Sequence, residues 1–519
     1  MEKKSDKVVF KPYLMGQLCL PMSLDYLIPE NHLVRVVNSV IERMNIDPLL
    51  KQYKGGGTSS YHPKMMLKVI VYAYTQKIYS SRRIAKALRE NIHFMWLSGN
   101  NRPDFRTINR FRSTVMKEVV DEVFAAVLEI LIKEKYVKLE HYFLDGTKIE
   151  ANANKYSFVW SKSVKKNKEK LQDKIRELIR QIDKVNEEED EEYGDKDLEE
   201  MGEESNIDSS FLERKIKELN EKLKNKPDKQ QAKALKAMEK DYLPRMRRYE
   251  EQEKIAGSRN SYSKTDNDAT FMRMKEDHMR NGQLKPGYNV QIGTENQFVL
   301  GFSIHQRPSD SGCLIPHLEH VKNMQLGCLA LNIIADAGYG SEENYDYLSR
   351  HDLGNYIKYN TFHQERKRKF KKNAFRVENM TYDEKNDEYI CPAGRRMRPV
   401  WIKRFKTENG YLTERMVYEC EDCSGCPFKE QCTKSKGNRR ILVSKRLQKF
   451  REEAALNLCS EKGLLLRSQR ATEVESVFGR IKHNWSFKRF MLRGIEKVKT
   501  EWGLLCIAHN IAKMAAVTP

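Results

Sequence analysis

The stretch "CLALNIIADAGYGSEENYDYL", residues 328–348, reads as a buried strand that ends at Asp336, a glycine-containing loop and then a helix. The same grammar occurs earlier. In "HYFLDGTKIEANANKY", residues 141–156, the apolar run Tyr142 to Leu144 brings Asp145 to a strand's end beside Gly146. Between the two lie "KPGYNVQIGT" and "QFVLGFSIHQ", alternating runs joined by the turn-like Glu295-Asn296, and "LIPHLEHVKNM", residues 314–324, which has helical spacing. Strand, β-hairpin, helix and strand, with an acid at the tip of two strands, predict an α/β sheet whose ligands sit at the strand ends.

An acid at a strand end is ordinarily a turn or cap residue. Three acids offered to one sheet edge carry more weight. The third comes from "ATEVESVFGRIKHNWSFKRF", residues 471–490, a helix with Glu473 and Glu475 followed by Arg480, Lys482, His483, Lys488 and Arg489. Magnesium takes oxygen ligands and keeps several waters, so carboxylates converging at an open edge suit ions that bridge a phosphate. Two such ions about 3.5–4 Å apart activate an attacking oxygen and stabilise a leaving one.

Charge points to the same substrate class. Among 519 residues, 94 Lys and Arg face 73 Asp and Glu, a net charge of +21, so a polyanion such as nucleic acid is the expected partner. The N-terminal "MEKKSDKVVF" has no apolar core and no apolar run approaches the ~20 residues needed to span a bilayer, so no membrane role and a cytoplasmic location are expected. Five of the ten cysteines fall between Cys391 and Cys432, which suggests a local site in a reducing compartment and not a disulfide framework.

Four zones divide the chain. Residues 1–135 read as a helical DNA-binding domain. Within it, "SSRRIAKALRENIHFMWLSG" and "DFRTINRFRSTV", separated by "NNRP", form a candidate helix-turn-helix whose second helix is capped by Asp104 and presents Arg106, Arg110 and Arg112. Two ordinary helices of a bundle fit the same pattern. Residues 161–255 hold two heptad seams, Leu171, Ile175, Leu178, Ile182 and Val185, then Leu212, Ile216, Leu219 and Leu223, joined by a strongly acidic stretch. A coiled-coil-like helical hairpin and dimerisation through the same seams are both compatible with them. Residues 136–160, 256–364 and 446–519 supply the sheet and its late helices.

Residues 365–445 form a basic and cysteine-rich insertion. It follows on from "HQERKRKFKKNAFR", a run suited to phosphate contacts, and contains "YICPAGRRM" and "YECEDCSGCPFKEQC". Paired C-x-x-C spacing plus a distant cysteine is metal-ligand grammar, with five candidates, Cys391, Cys420, Cys423, Cys426 and Cys432, for four places around Zn²⁺. The insertion has no evident apolar core, so metal is expected to provide its folding energy. The twelve histidines form no evident metal pair, and His509 reads as a helix-face residue.

The blocks "FLDGTKIEANANKY", "DATFMRMKEDHMRNGQLKPGYNVQ", "IADAGYGSEENYDYL" and "VESVFGRIKHNWSFKRFMLRG" together resemble DDE transposases of bacterial insertion sequences. The likeness runs from "YHPKMMLKVIVYAY" to "AHNIAK", nearly the whole chain. It implies an RNase H-like mixed sheet flanked by helices, with Asp145 on the first strand, Asp336 on the fourth and a Glu on a late helix. In the family a Lys follows that Glu by seven positions, as Lys482 follows Glu475; Glu473 has Arg480 there instead. The family's Arg four before the Glu and Tyr three before that are Ala471 and Ser468 here. Arg470, one residue off, takes the Arg role, and the Tyr role is unfilled.

The resemblance also implies two Mg²⁺ ions, with Mn²⁺ as a substitute, on Asp145, Asp336 and Glu475, and zinc on Cys391, Cys423, Cys426 and Cys432. The implied partners are double-stranded DNA, as terminal inverted repeats and as target, and a second copy of the chain in a homodimer or larger synaptic complex at the bacterial nucleoid. The implied chemistry is strand cleavage followed by joining of the 3′-hydroxyl to target DNA. A transposase-derived DNA-binding protein without catalysis and a metal-dependent nuclease are the competing readings.

Overall fold

The computed structural model describes residues 10–11, 18–19, 22–53, 59–193, 207–225, 229–274, 284–324 and 329–517. The protein is mixed α/β and divides into two compact units, residues 1–150 with 288–519, and residues 151–287.

The first unit is organised by one mixed sheet. Its strands are β1 (His141–Glu150), β2 (Leu284–Glu295), β3 (Phe298–His305), β4 (Asn332–Ala335) and β5 (Gly354–Ile357), in the spatial order β3-β2-β1-β4-β5. β2 and β3 form an antiparallel hairpin closed by Asn296 and Gln297, both at positive φ, whereas β4 runs parallel to β1 and to β5. A hairpin needs only a short turn, but a parallel return needs a crossover, and "LIPHLEHVKNM" supplies a helix for it.

Register is what matters for function. Asn332, Ile333 and Ile334 stand opposite His141, Tyr142 and Phe143. Two further steps in the same register bring Asp336 opposite Asp145.

Helices close both faces. α1 (Leu33–Arg43), α2 (Pro63–Thr75) and α3 (Met116–Lys133) come from the N-terminal part, α4 (Leu314–Met324) follows β3, and α5 (Glu461–Arg470) and α6 (Ile495–Val517) come late. α6 packs against α1, α2, α3 and β3, so the N-terminal helices and the sheet share one core around it. Its composition explains why: fifteen of its side chains are buried, Trp502, Leu504, Leu505, Ile507 and Ile511 among them, all around the helix instead of along one stripe. His509 is therefore a buried group and not a helix-face one; its Nε2 donates to the Gln297 carbonyl at 2.9 Å.

The cysteine-rich segment has a core of its own, contrary to the sequence expectation. Five antiparallel strands, Thr381–Asp383, Glu388–Ile390, Arg396–Lys406, Leu412–Cys420 and Arg440–Val443, bury Tyr389, Met397, Tyr418, Ile441 and Val443 together with Cys391, Cys420 and Cys423.

The second unit is mainly helical. Ser161–Tyr193 and Ser209–Asn225 carry the heptad residues, and Leu171, Ile175, Ile182, Leu212, Ile216 and Leu219 meet in one cluster. The hairpin expectation is too simple, because further helical segments, Lys229–Ala237, Met238–Tyr242 and Leu243–Ala256, add Ala234, Met238 and Met246 to that cluster. Part of the acidic connection, residues 194–206, lies outside the described residues.

Candidate active site

Asp336 directly follows β4, whereas Asp145 lies in the middle of β1, which runs on to Glu150 instead of ending at the acid as the sequence predicted; the two acids come together across these adjacent strands. Arg470, the last residue of α5, puts Nη2 3.2 Å from Asp145 Oδ2 and 3.7 Å from Asp336 Oδ2. Each acid is also held by its own turn: Gly146 N–H donates to Asp145 Oδ1 at 2.8 Å, and Gly338 N–H donates to Asp336 Oδ1 at 2.8 Å. Asp336 is the cap of the short helix Ala337–Tyr339, so the bland cap role and a place in the site coexist in one residue.

The late helix crosses β1 beside these acids. Its regular α-helix stops at Arg470, and residues Ala471–Glu475 and Arg480–Asn484 form wide π-helical turns, a geometry often met at functional sites. Lys482 is buried and its Nζ donates to Thr147 Oγ1 at 3.1 Å, two residues beyond Asp145 on β1. Arg470 thus contacts the acid itself, and Lys482 contacts the strand two residues further on.

The two candidate glutamates part company. Glu473 turns toward the hairpin end of the sheet, where its Oε2 accepts from Gln297 N–H at 2.6 Å. Burial raises its pKa, with the Gln297 hydrogen bond and Lys513 opposing the rise. That turn is held from α6 as well, by His509 on the Gln297 carbonyl and Lys513 Nζ on Gln297 Oε1 at 3.1 Å. Glu475 is exposed and open to a ligand. Among the described residues no three Asp, Glu, His or Cys side chains gather closely enough to hold a metal ion. Asp145 and Asp336 nevertheless offer two hard oxygen donors to one point, and a cationic nitrogen stands at that point now, which is the donor chemistry a divalent ion requires.

Behind the acids lies a polar cluster that sequence reading did not single out. Asp310 Oδ1 accepts from Asn289 Nδ2 at 2.7 Å and Gln291 Nε2 at 3.1 Å, and Tyr339 donates its hydroxyl to Gln291 Oε1. A Cβ on Gly146 would fall 2.1 Å from Gln291 Nε2 and 2.8 Å from Asp310 Oδ1, so the glycine after Asp145 is required by this cluster. That Gly146 was the one legible signal. Tyr339, a conceivable nucleophile by position, is fully buried with its pKa pushed well up by burial; Ser341 caps the helix Glu342–Arg350. Lys358, just past β5, is a second residue that sequence reading missed. Burial and then the neighbouring Arg470 and Arg467 lower its pKa, while Asp336 opposes them.

Of the cations assigned to DNA, Arg106 and Arg110 are exposed. Asp104 caps their helix by accepting from Thr107 N–H at 2.7 Å. Arg112 is a correction, because it is 2 % exposed and its guanidinium donates to Tyr74 OH at 3.0 Å, the Tyr79 carbonyl at 2.7 Å and Ser81 Oγ at 3.2 Å. Buried Glu501 lies within electrostatic range and supplies the opposite charge. A guanidinium used up in this way has no face to offer DNA.

The five clustered cysteines line one small cavity with Arg439. Arg439 donates through Nη1 to Cys432 Sγ at 2.8 Å and through its backbone N–H to Cys423 Sγ at 3.4 Å.

A family model described as a transposase DDE domain matches residues 390–515. Another, described as a transposase domain (DUF772), matches residues 22–114. The chain belongs to the DDE transposases of insertion-sequence type. The first match contains Arg470, Glu475 and Lys482, and the second contains Arg106 and Arg110. No curated protein and no solved structure matches the chain. Among the described residues of this transposase, no helix is long and apolar enough to cross a membrane.

Proposed function

We propose that this transposase binds the ends of its element as duplex DNA, cleaves them with Asp145, Asp336 and Glu475 as the metal-holding acids, and joins the freed 3′-hydroxyl to target DNA. The observation that carries the reading is the parallel register of β1 and β4, which sets Asp145 and Asp336 around a single cationic nitrogen. When two Mg²⁺ or Mn²⁺ ions are bound there, they supply activation of the attacking oxygen and stabilisation of the leaving one. The chain's own residues do the positioning. The Gly146 and Gly338 N–H groups fix the orientation of the two aspartates, Thr147 holds the Lys482 ammonium on β1 two residues from Asp145, and Glu475 would join the aspartates from the helix when metal is bound. Exposed Arg106 and Arg110 neutralise phosphates of the bound duplex, and a second copy of the chain holds the other end in a homodimer or larger synapse. Zinc on Cys391, Cys423, Cys426 and Cys432 would tie the cysteine-rich sheet to its flanking loops.

The test is to incubate the full protein with Mg²⁺ and DNA carrying the ends that flank its gene, beside Asp145→Asn. Cut and joined products from the parent, with binding alone from the variant, are expected. Cutting without joining would make the protein a nuclease, and equal binding with no cutting by either would leave a DNA-binding protein. Zinc content is read in parallel: Cys426→Ser with unchanged bound zinc removes that residue from the site.

A further inference from the structure

Arg470 stands where the proposed metal site needs a cation. Its Nη2 is within 4 Å of one oxygen of each aspartate, while its Nε is buried without a hydrogen-bond partner. Arginine–carboxylate pairs are frequently bidentate, with two parallel N–H bonds to one carboxylate. This one divides a single nitrogen between two acids, at 3.2 and 3.7 Å, and leaves a donor unused. Its side chain is 13 % exposed and Asp145 9 %, so the pair is sheltered, whereas Asp336 at 44 % opens to solvent. Arg470 also sits at the joint between a regular α-helix and a π-helical turn, from which a long side chain can be re-aimed without moving the sheet.

We infer that Arg470 is an exchangeable counter-ion. In the metal-free protein it neutralises Asp145 and Asp336, whose like charges would otherwise oppose each other across adjacent strands. When divalent cations take the two carboxylates, the guanidinium is displaced and turns to a phosphate of the bound DNA. Each group keeps an opposite charge: the aspartates trade the guanidinium for divalent metal, whose additional positive charge is met by phosphates of the bound DNA, and Arg470 trades a carboxylate for a phosphodiester. It rests on the metal-site reading above and adds to it a competition between the protein's own cation and the metal.

Competition makes a prediction opposite to that for a supporting residue. Mn²⁺ binding to full-length, DNA-free protein is measured by the loss of the free-ion EPR signal, for the parent, Arg470→Gln, Arg470→Lys and Asp145→Asn. Removing a competing cation tightens Mn²⁺ binding, about fivefold or more in Arg470→Gln if the coupling has the usual size for linked sites. Arg470→Lys, which keeps the charge, stays near the parent. A thermal melt guards against misfolding: Mn²⁺ raises the midpoint of Arg470→Gln more than that of the parent. Equal or weaker Mn²⁺ binding by Arg470→Gln overturns the exchange. If the parent binds no Mn²⁺, or Asp145→Asn binds it equally well, the metal-site reading has failed and the exchange with it.

Discussion

Replacing Glu473 and Glu475 one at a time by Ala separates the two acids by both stability and activity. Glu473→Ala leaves the Gln297 N–H, now bonded at 2.6 Å, without its acceptor and takes the carboxylate from beside Lys513. An orphaned, half-buried donor costs about 1–3 kcal/mol, read as a lower urea midpoint. Glu475 is exposed, and a change there is expected to shift stability by no more than about 0.5 kcal/mol. Activity should follow the reverse order. A metal-holding carboxylate supports several kcal/mol of charge stabilisation in the transition state, so Glu475→Ala loses roughly a hundredfold or more in Mg²⁺-dependent cleavage. Glu473→Ala, assayed below its melting range, keeps cleavage within about tenfold of the parent, an order-of-magnitude allowance for a shifted helix. Abolished cleavage in folded Glu473→Ala, with normal cleavage in Glu475→Ala, would refute the assignment and make the buried acid the third ligand.

Three other outcomes are expected. Burial holds His509 near a pKa of about 3, below its unfolded value of about 6.5, so the folded protein keeps it neutral while the unfolded chain takes up a proton. Its contribution is complete above about pH 6.5 and declines below it, by about 2 kcal/mol between pH 7 and 5; a His509→Gln variant with the same pH slope would refute this. Arg112→Met removes the donor shared by Tyr74 OH, the Tyr79 carbonyl and Ser81 Oγ and should destabilise the protein by about 1–3 kcal/mol while leaving the DNA affinity of the folded fraction unchanged. A selective loss of DNA affinity with no change in the urea midpoint would return Arg112 to the surface role. Arg106→Ala and Arg110→Ala should each weaken binding to all sequences alike and reduce the slope of log affinity against log salt by about 1; unchanged slopes would remove this helix from the DNA interface.

Much of the architecture is legible residue by residue. Alternation marks β2 and β3, helical spacing marks α4 over the residues expected, and Asp104 caps the helix that its position announces. These are local: period, turn chemistry and capping depend on neighbours a few residues away. The strand-end position of Asp336 is legible for the same reason, but Asp145 is not at a strand end: β1 continues through Gly146 and Thr147 to Glu150, because its partner strand keeps it paired past the acid.

Partnership across the chain is another matter. Periodicity gives Glu473 and Glu475 equal standing on one helix, and family spacing favours Glu475, yet only the fold shows Glu473 spent on Gln297, 176 residues away in sequence. Arg112 looks like its exposed neighbours until Tyr74, Ser81 and Glu501 enclose it, and α6 looks like an ordinary late helix until the N-terminal helices wrap it. The sequence by itself determined most of the elements that form, that Asp145 and Asp336 belong to strands of one sheet, and that the chain carries a large positive charge. The tertiary structure alone decided which charges are spent inside and which remain exposed, because burial depends on what covers a side chain, and the covering residues lie far outside the local window, from 31 positions away for Ser81 on Arg112 to 176 for Gln297 on Glu473.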